Sequence, residues 1–219
     1  MYECGEIKGI RAADEGADVI VHVSKAAGET IYRKGIHDIG IYLEDGRSIT
    51  ALQRKKIYAT LNDIAEYTGY VPEEAKAVMK YVHIARTGCN YFSLSDCSIS
   101  LARDFINTLI EFCLKNGIIT ADPMLERTDD INSYLIMCLY YRKCAICGKP
   151  GEIHHWDAIG MGNDRRVYDD SGNRKICLCR THHMIAHQKG RDAFAESYHV
   201  YGILYDGDNK RKKNKNTYI

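Results

Sequence analysis

The chain has 219 residues, of which 45% are hydrophobic and 27% charged, with a formal net charge of +1. That composition suits one or two globular domains and excludes a disordered or low-complexity chain. The near-neutral balance does not by itself announce a nucleic-acid partner. Met1 to Gly9 lacks the apolar run of a signal peptide, and no stretch approaches the ~20 apolar residues of a membrane helix, so the reading is a soluble, cytoplasmic protein with no membrane partner.

Residues 1 to about 50 read as strands. Val19 to Val23 is short, apolar and β-branched, Ile36 to Leu43 alternates in part, and Asp45-Gly46 supplies a turn before Arg47-Ser48-Ile49. A small antiparallel sheet is expected there. His22 and His37 stand alone in sequence and read as structural or surface residues. Thr50-Ala-Leu-Gln53 fits a capping box at the start of a helix, in which Ile57, Leu61, Ile64 and Ala65 recur at helical spacing before Gly69. Pro72, followed by Glu73 and Glu74, suits the first turn of a second helix running to about Arg86. A third begins near Ser98, carries Leu101, Phe105, Leu109 and Phe112 on one face, and closes at Gly117. The three apolar stripes read as core. Arg54, Lys55 and Lys56 form a basic cluster, read first as a solvated face and second as a DNA-backbone contact. Residues 120–131 read as a connector, and a short helix from about Asn132 to Tyr141 delivers the chain to its chemically richest stretch.

That stretch runs from Lys143 to Gly190. Cys144-x-x-Cys147 and Cys179-x-x-His182 have the two-pair spacing of a tetrahedral Cys3His zinc site, and Gly148 permits the tight turn between them. Cys177 is a rival to Cys179 with less regular spacing. A reducing compartment favours ligation over disulfides for such pairs. The other cysteines, Cys4, Cys89, Cys97, Cys113 and Cys138, have no ligand spacing and read as buried or incidental thiols. After Thr181, the run from His182 reads as a helix ending at Gly190, in which His183 and His187, four apart, share a face. His182 lies about 100° round from His183 and can face a different ion. Glu152 to Trp156 reads as a strand, where neighbours point apart. His154 and His155 therefore do different jobs, one binding an ion and the other standing by as a base. An ion held by three imidazoles, with a free imidazole beside it, amounts to a single-metal phosphodiesterase.

Segment 144–190 resembles an HNH endonuclease module of the ββα-metal type. The whole chain resembles the HNH nucleases of phages infecting Gram-positive bacteria, through Tyr91–Cys97, Ala102–Ile106, His154-His155-Trp-Asp157 and Gly160-Met-Gly162. The N-terminal half is similar, more weakly, to NinB-type (Orf) recombination mediators that bind single-stranded DNA. The resemblance implies His155 as general base, His154, His183 and His187 as ligands of a catalytic ion (Mg2+, Mn2+ or Zn2+), and Asn173 as the residue bracing the loop that carries the base. The register at Asn173 departs by about one position from the common pattern, and His182 stands where many members have a fourth cysteine. Arg165 and Arg166 are either phosphate contacts or part of a solvated loop.

The expected architecture is α+β: an N-terminal small antiparallel sheet plus helices, and a C-terminal zinc-stabilised ββα-metal (HNH) module. The expected division is a DNA-binding domain over 1–125, the nuclease module over 126–205 with structural Zn2+, and a basic tail over 206–219, where Lys210 to Lys215 crowd together. The expected function is metal-dependent cleavage of branched or single-stranded DNA in phage recombination or replication. DNA is the main partner, single-stranded-DNA-binding or recombinase proteins are further ones, and a homodimer is the expected assembly. The alternative is a non-catalytic, zinc-containing mediator that binds single-stranded DNA. A homing-type or restriction enzyme, cutting plain duplex at specific sequences, is a third reading.

Overall fold

An antiparallel hairpin opens the chain in the computed structural model, which describes residues 5–37, 46–157 and 172–205. Strand β1 (Glu6–Ala13) pairs with β2 (Gly16–His22). Strand then gives way to helix α1 (Lys25–Lys34), so the reading of residues 1–50 as strands holds only for their first part. The reason is local. Ser24 caps the helix by accepting the Ala27 amide, and Gly35 ends it in the left-handed region, where glycine carries no steric penalty. Arg33 and Lys34 lie at the negative end of the helix dipole. Most of the expected strand Ile36 to Leu43 lies outside the described residues.

Helices α2 (Ala51–Thr68), α3 (Pro72–Thr87) and α4 (Ile99–Asn116) form the framework. The expected capping box starts α2: Thr50 Oγ1 accepts the Gln53 amide at 3.1 Å, and Gln53 Oε1 accepts the Thr50 amide at 3.1 Å. The α2 stripe of Ile57, Leu61 and Ile64 is fully buried together with Phe105, Ile106 and Leu109 of α4 and Met79 of α3. The connector contains a short helix, α5 (Met124–Arg127), whose buried Arg127 pairs with Asp63 and Asp122.

Helix α6 (Ile131–Tyr141) packs on α4 and on the second sheet at once. Its Tyr134, Leu135, Cys138 and Leu139 are completely buried, and the Tyr134 hydroxyl donates to the Ala145 carbonyl at 2.9 Å. The second sheet has the order β3-β4-β5, built from β3 (Glu152–His155), β4 (Arg174–Leu178) and β5 (Ile203–Leu204), all antiparallel. Helices α7 (Arg180–Lys189) and α8 (Arg191–Tyr198) complete it. The core is one connected set of buried side chains from Ile49 to Tyr205. Mixed helix and antiparallel sheet is the architecture the sequence implied. No helix among the described residues is long and apolar enough to cross a membrane. Arg165, Arg166, the Gly160-Met-Gly162 word and the basic tail 206–219 lie outside the described residues.

The framework also buries a histidine. His83 is 1% exposed and is flanked edge-on by Phe92 and Phe105. Thr108 Oγ1 donates to the Asp104 carbonyl, so its lone pair accepts from His83 Nδ1 at 2.7 Å. Nε2 then carries the lone pair and has no hydrogen-bond partner among the described residues. Protonating it would bury an unpaired cation, so burial, and then the charge of Arg86, lowers its pKa from 6.5 to about 4. Because the folded value is depressed, the unfolded chain takes up the proton first. Stability is fully present above pH 6.5 and is lost as the pH falls towards 4, by on the order of 3 kcal/mol. Urea unfolding of wild type and H83N between pH 4 and 7 tests this, and the variant should lose that part of the slope.

Candidate metal centre

The hairpin turn before β3 and the start of α7 converge on one point. Cys144 and Cys147 lie on a knuckle fixed by backbone bonds from the Cys144 amide to Lys149 O, the Ala145 amide to Cys177 O and the Gly148 amide to Cys144 O. Cys179 is the N-cap residue of α7, and His182 lies in its first turn. Their four ligand atoms lie within 4.8 Å of one another. The separations are 3.7 Å for Cys147 Sγ to Cys179 Sγ, 3.5 Å for Cys144 Sγ to His182 Nδ1 and 3.2 Å for Cys179 Sγ to His182 Nδ1. A tetrahedral zinc with ligands at about 2.3 Å (sulfur) and about 2.0–2.1 Å (nitrogen) requires S–S edges of about 3.8 Å and S–N edges of about 3.6 Å. The donor set therefore fits zinc in both chemistry and spacing. Cys177 faces the core, completely buried, and is not part of the group.

The protonation tendencies of Cys144, Cys179 and His182 differ. Burial pushes the Cys144 thiol up to about 12. Burial acts in the same direction on Cys179, but hydrogen bonding from the His182 amide and from the neighbouring thiols outweighs it and draws that thiol below its ordinary value. Burial, then Lys149, lowers His182 towards its neutral, ligating form.

The second group gathers His154, His183 and His187, whose ligand atoms also lie within 4.8 Å of one another. Strand alternation turns His154 towards α7, with ring centroids 4.7 Å from His183 and 5.0 Å from His187. His183 Nε2 lies 3.1 Å from His187 Nε2. Nitrogens bound to one ion at about 2.1 Å lie about 3.0–3.4 Å apart, depending on octahedral or tetrahedral geometry, so this set fits as well. Burial, then the charges of His183, His187 and His155, holds His154 down at about 4, in the neutral form that can bind a cation.

Sequence reasoning missed Glu152. It lies two residues before His154 on the same face of β3, and its Oε1 accepts from His183 Nδ1 at 3.0 Å. That bond fixes the tautomer that presents Nε2 to the cluster. No spacing rule could reveal it, because the partner lies on another element. Glu152→Gln should weaken binding of the second ion about 10-fold, the low end for such orienting groups given how exposed the carboxylate is. Isothermal titration with Mn2+ reads this, and unchanged affinity would remove Glu152 from the site.

His155 is half-buried, lies opposite Lys175 in the β3–β4 register and is not part of either cluster. Lys175 is itself buried and donates to Tyr205 O at 3.3 Å. Asn173 lies half-buried just before β4, outside both groups. A second feature missed in sequence is the fork between Asp157 and Arg174. Asp157 Oδ2 accepts from the Arg174 amide and Nε, both at 3.0 Å, and Oδ1 accepts from the guanidinium at 2.6 Å. These bonds draw the Asp157 carboxyl down to about 2. The fork ties the end of β3 to the start of β4, next to His155.

In comparison with known families, residues 17–215 match the family described as "Putative HNHc nuclease". Comparisons with curated proteins and with solved structures gave no match.

Proposed function

The chain belongs to the HNHc nuclease family, and from that premise we propose that it is a DNA endonuclease that hydrolyses phosphodiester bonds with the help of a divalent cation. The observation that carries this reading is the second cluster. A chain that used zinc only for folding has no need of three imidazoles converging beside a complete Cys3His set.

Each residue then has a task. Cys144, Cys147, Cys179 and His182 would hold zinc and fix the start of α7. His154, His183 and His187 would hold the working ion, with Glu152 orienting His183. Bound there, a divalent cation supplies Lewis-acid stabilisation of the charge that develops on the scissile phosphate and leaving oxygen. His155 takes the proton from the attacking water. Asp157 and Arg174 hold the strand ends on which His155 stands, a bracing role the sequence reading gave to Asn173. Arg165 and Arg166 remain proposed phosphate contacts.

The resemblance to phage HNH nucleases supports a role in recombination or replication, with branched, flapped or single-stranded DNA as substrate. A panel of plain duplex, flapped, branched and single-stranded DNA, with Mg2+, Mn2+ or Zn2+ added in turn, tests this. Cleavage of the branched or single-stranded members is the expected result. Binding with no cleavage on any member would favour the non-catalytic mediator, and sequence-specific cuts in plain duplex would favour a restriction-type enzyme.

A further inference from the structure

Away from both metal groups, the framework carries a cleft of about 340 Å3 lined by Arg54, Tyr58, Lys76, Lys80, Ser93 and Ser95. No carboxylate lines it. Among the described residues, none of its three cations pairs with a carboxylate. Asp96, outside the lining, accepts from the Ser95 hydroxyl at 3.1 Å.

The cations are held in place. Arg54 donates through Nε to Leu94 O at 3.0 Å and through its guanidinium to Ser95 O at 3.1 Å. Lys80 is 6% exposed, donates to Phe92 O at 2.8 Å and stands over the rings of Tyr91 and Phe92. Carbonyls and ring faces orient these charges without cancelling them. An ammonium has three donors. The other two on Lys80 have no hydrogen-bond acceptor among the described residues. Burying an ammonium so incompletely satisfied is costly, and an apolar side chain of similar length would fill the same volume more cheaply. Lys76 adds a third charge, 5.7 Å above the Tyr58 ring. The basic cluster Arg54–Lys56 therefore divides. Arg54 lines the cleft, Lys55 is exposed, and Lys56 is used internally, pairing with Asp129 at 2.6 Å.

We propose that this cleft binds a backbone phosphate of the DNA substrate, through Lys80, Lys76 and the Arg54 guanidinium, at a point remote in sequence from the cutting residues. This deepens the nuclease reading and rests on it for the identity of the ligand. Fixed cations around a small concavity select a phosphate oxygen, and such contacts position a strand without reading its bases.

The test is fluorescence anisotropy of a labelled flapped DNA against the full chain without added divalent cation, over a range of salt concentrations. Wild type, K76Q, K80M and the K76Q/K80M double variant are compared with K55Q, which removes an exposed charge outside the cleft. The double variant should bind about 10-fold more weakly at low salt and lower the slope of log K against log salt by about 1. K55Q should move both far less. Equal effects in K55Q and the double variant would overturn the proposal. If K80M does not fold, by thermal unfolding, K76Q against K55Q makes the same comparison. Cleavage is scored separately. Wild-type cleavage with unaltered binding in the variants sinks the cleft alone. Weakened binding in the variants, with no cleavage by wild type, sinks the nuclease reading alone.

Discussion

Replacing His155 by alanine should lower kcat for DNA cleavage about 100- to 10,000-fold, the usual contribution of a positioned general base. The expectation follows from strand geometry. Neighbouring side chains on β3 leave opposite faces, so His154 joins His183 and His187 while His155 stays outside the cluster. The variant should keep its metal content and melting temperature, because no ligand is touched, and KM should change little if the lost interaction forms only in the transition state. His154→Ala should behave differently, losing activity together with affinity for the second ion. The pair of variants separates proton transfer from ion binding. Retained cleavage in H155A would transfer the base role to another residue. Loss of metal in H155A would make His155 a ligand instead.

Removing zinc should have the largest effect on stability. A structural zinc contributes on the order of 10 kcal/mol, well beyond what the few backbone bonds of the knuckle supply, and Cys147 is exposed. Cys144→Ser, or a strong chelator, should unfold β3, β4, α7 and α8. Helices α2, α3 and α4 have an apolar interface of their own, including Ile57, Leu61, Met79, Phe105 and Leu109, and should persist. Hydrogen exchange followed by mass spectrometry reads both regions in one experiment. The expected pattern is loss of protection in the C-terminal elements with protection kept in the three helices. Helix α6 is the informative element, because it packs on α4 and on β4 together. Unchanged thermal unfolding in C144S would refute the zinc assignment. Loss of protection throughout would show that the two halves fold as one unit.

The helical framework was legible in the sequence because its signals are local. The Thr50–Gln53 box, Pro72, Ser98 and the closing glycines each act within four residues, and the structure places helix ends beside them. The spacings Cys144–Cys147, Cys179–His182 and His183–His187, each on one turn or one helix, were legible for the same reason, and the structure brings them into two Cys/His groups, the second completed by His154. Helix α1 had its own signals in Ser24 and Gly35, but the apolar, β-branched run of residues 19–23 just before them drew the reading towards strand. Helix α8 was hidden by Gly190, which ends α7 and begins the next helix, so one stop signal concealed a start. Glu152, the Asp157–Arg174 fork and the basic cleft were illegible for a different reason. Each joins residues from separate elements, and nothing in spacing announces a tertiary contact.

The consecutive pair His182-His183 has a consequence for what this gene segment can tolerate. Each residue added to a helix turns everything beyond it by about 100° and advances it by about 1.5 Å. Between Cys179 and His187, a single inserted or deleted codon would put His183 or His187 out of phase with His154, and one before His182 would break the Cys3His set as well. Substitutions at Thr181, Met184 or Gln188 spare every ligand. Drift along this stretch is therefore confined to changes of residue between the clustered groups, with their spacing held fixed, and a one-codon deletion between Cys179 and His182 should cost both ions where a substitution at Thr181, Met184 or Gln188 costs neither.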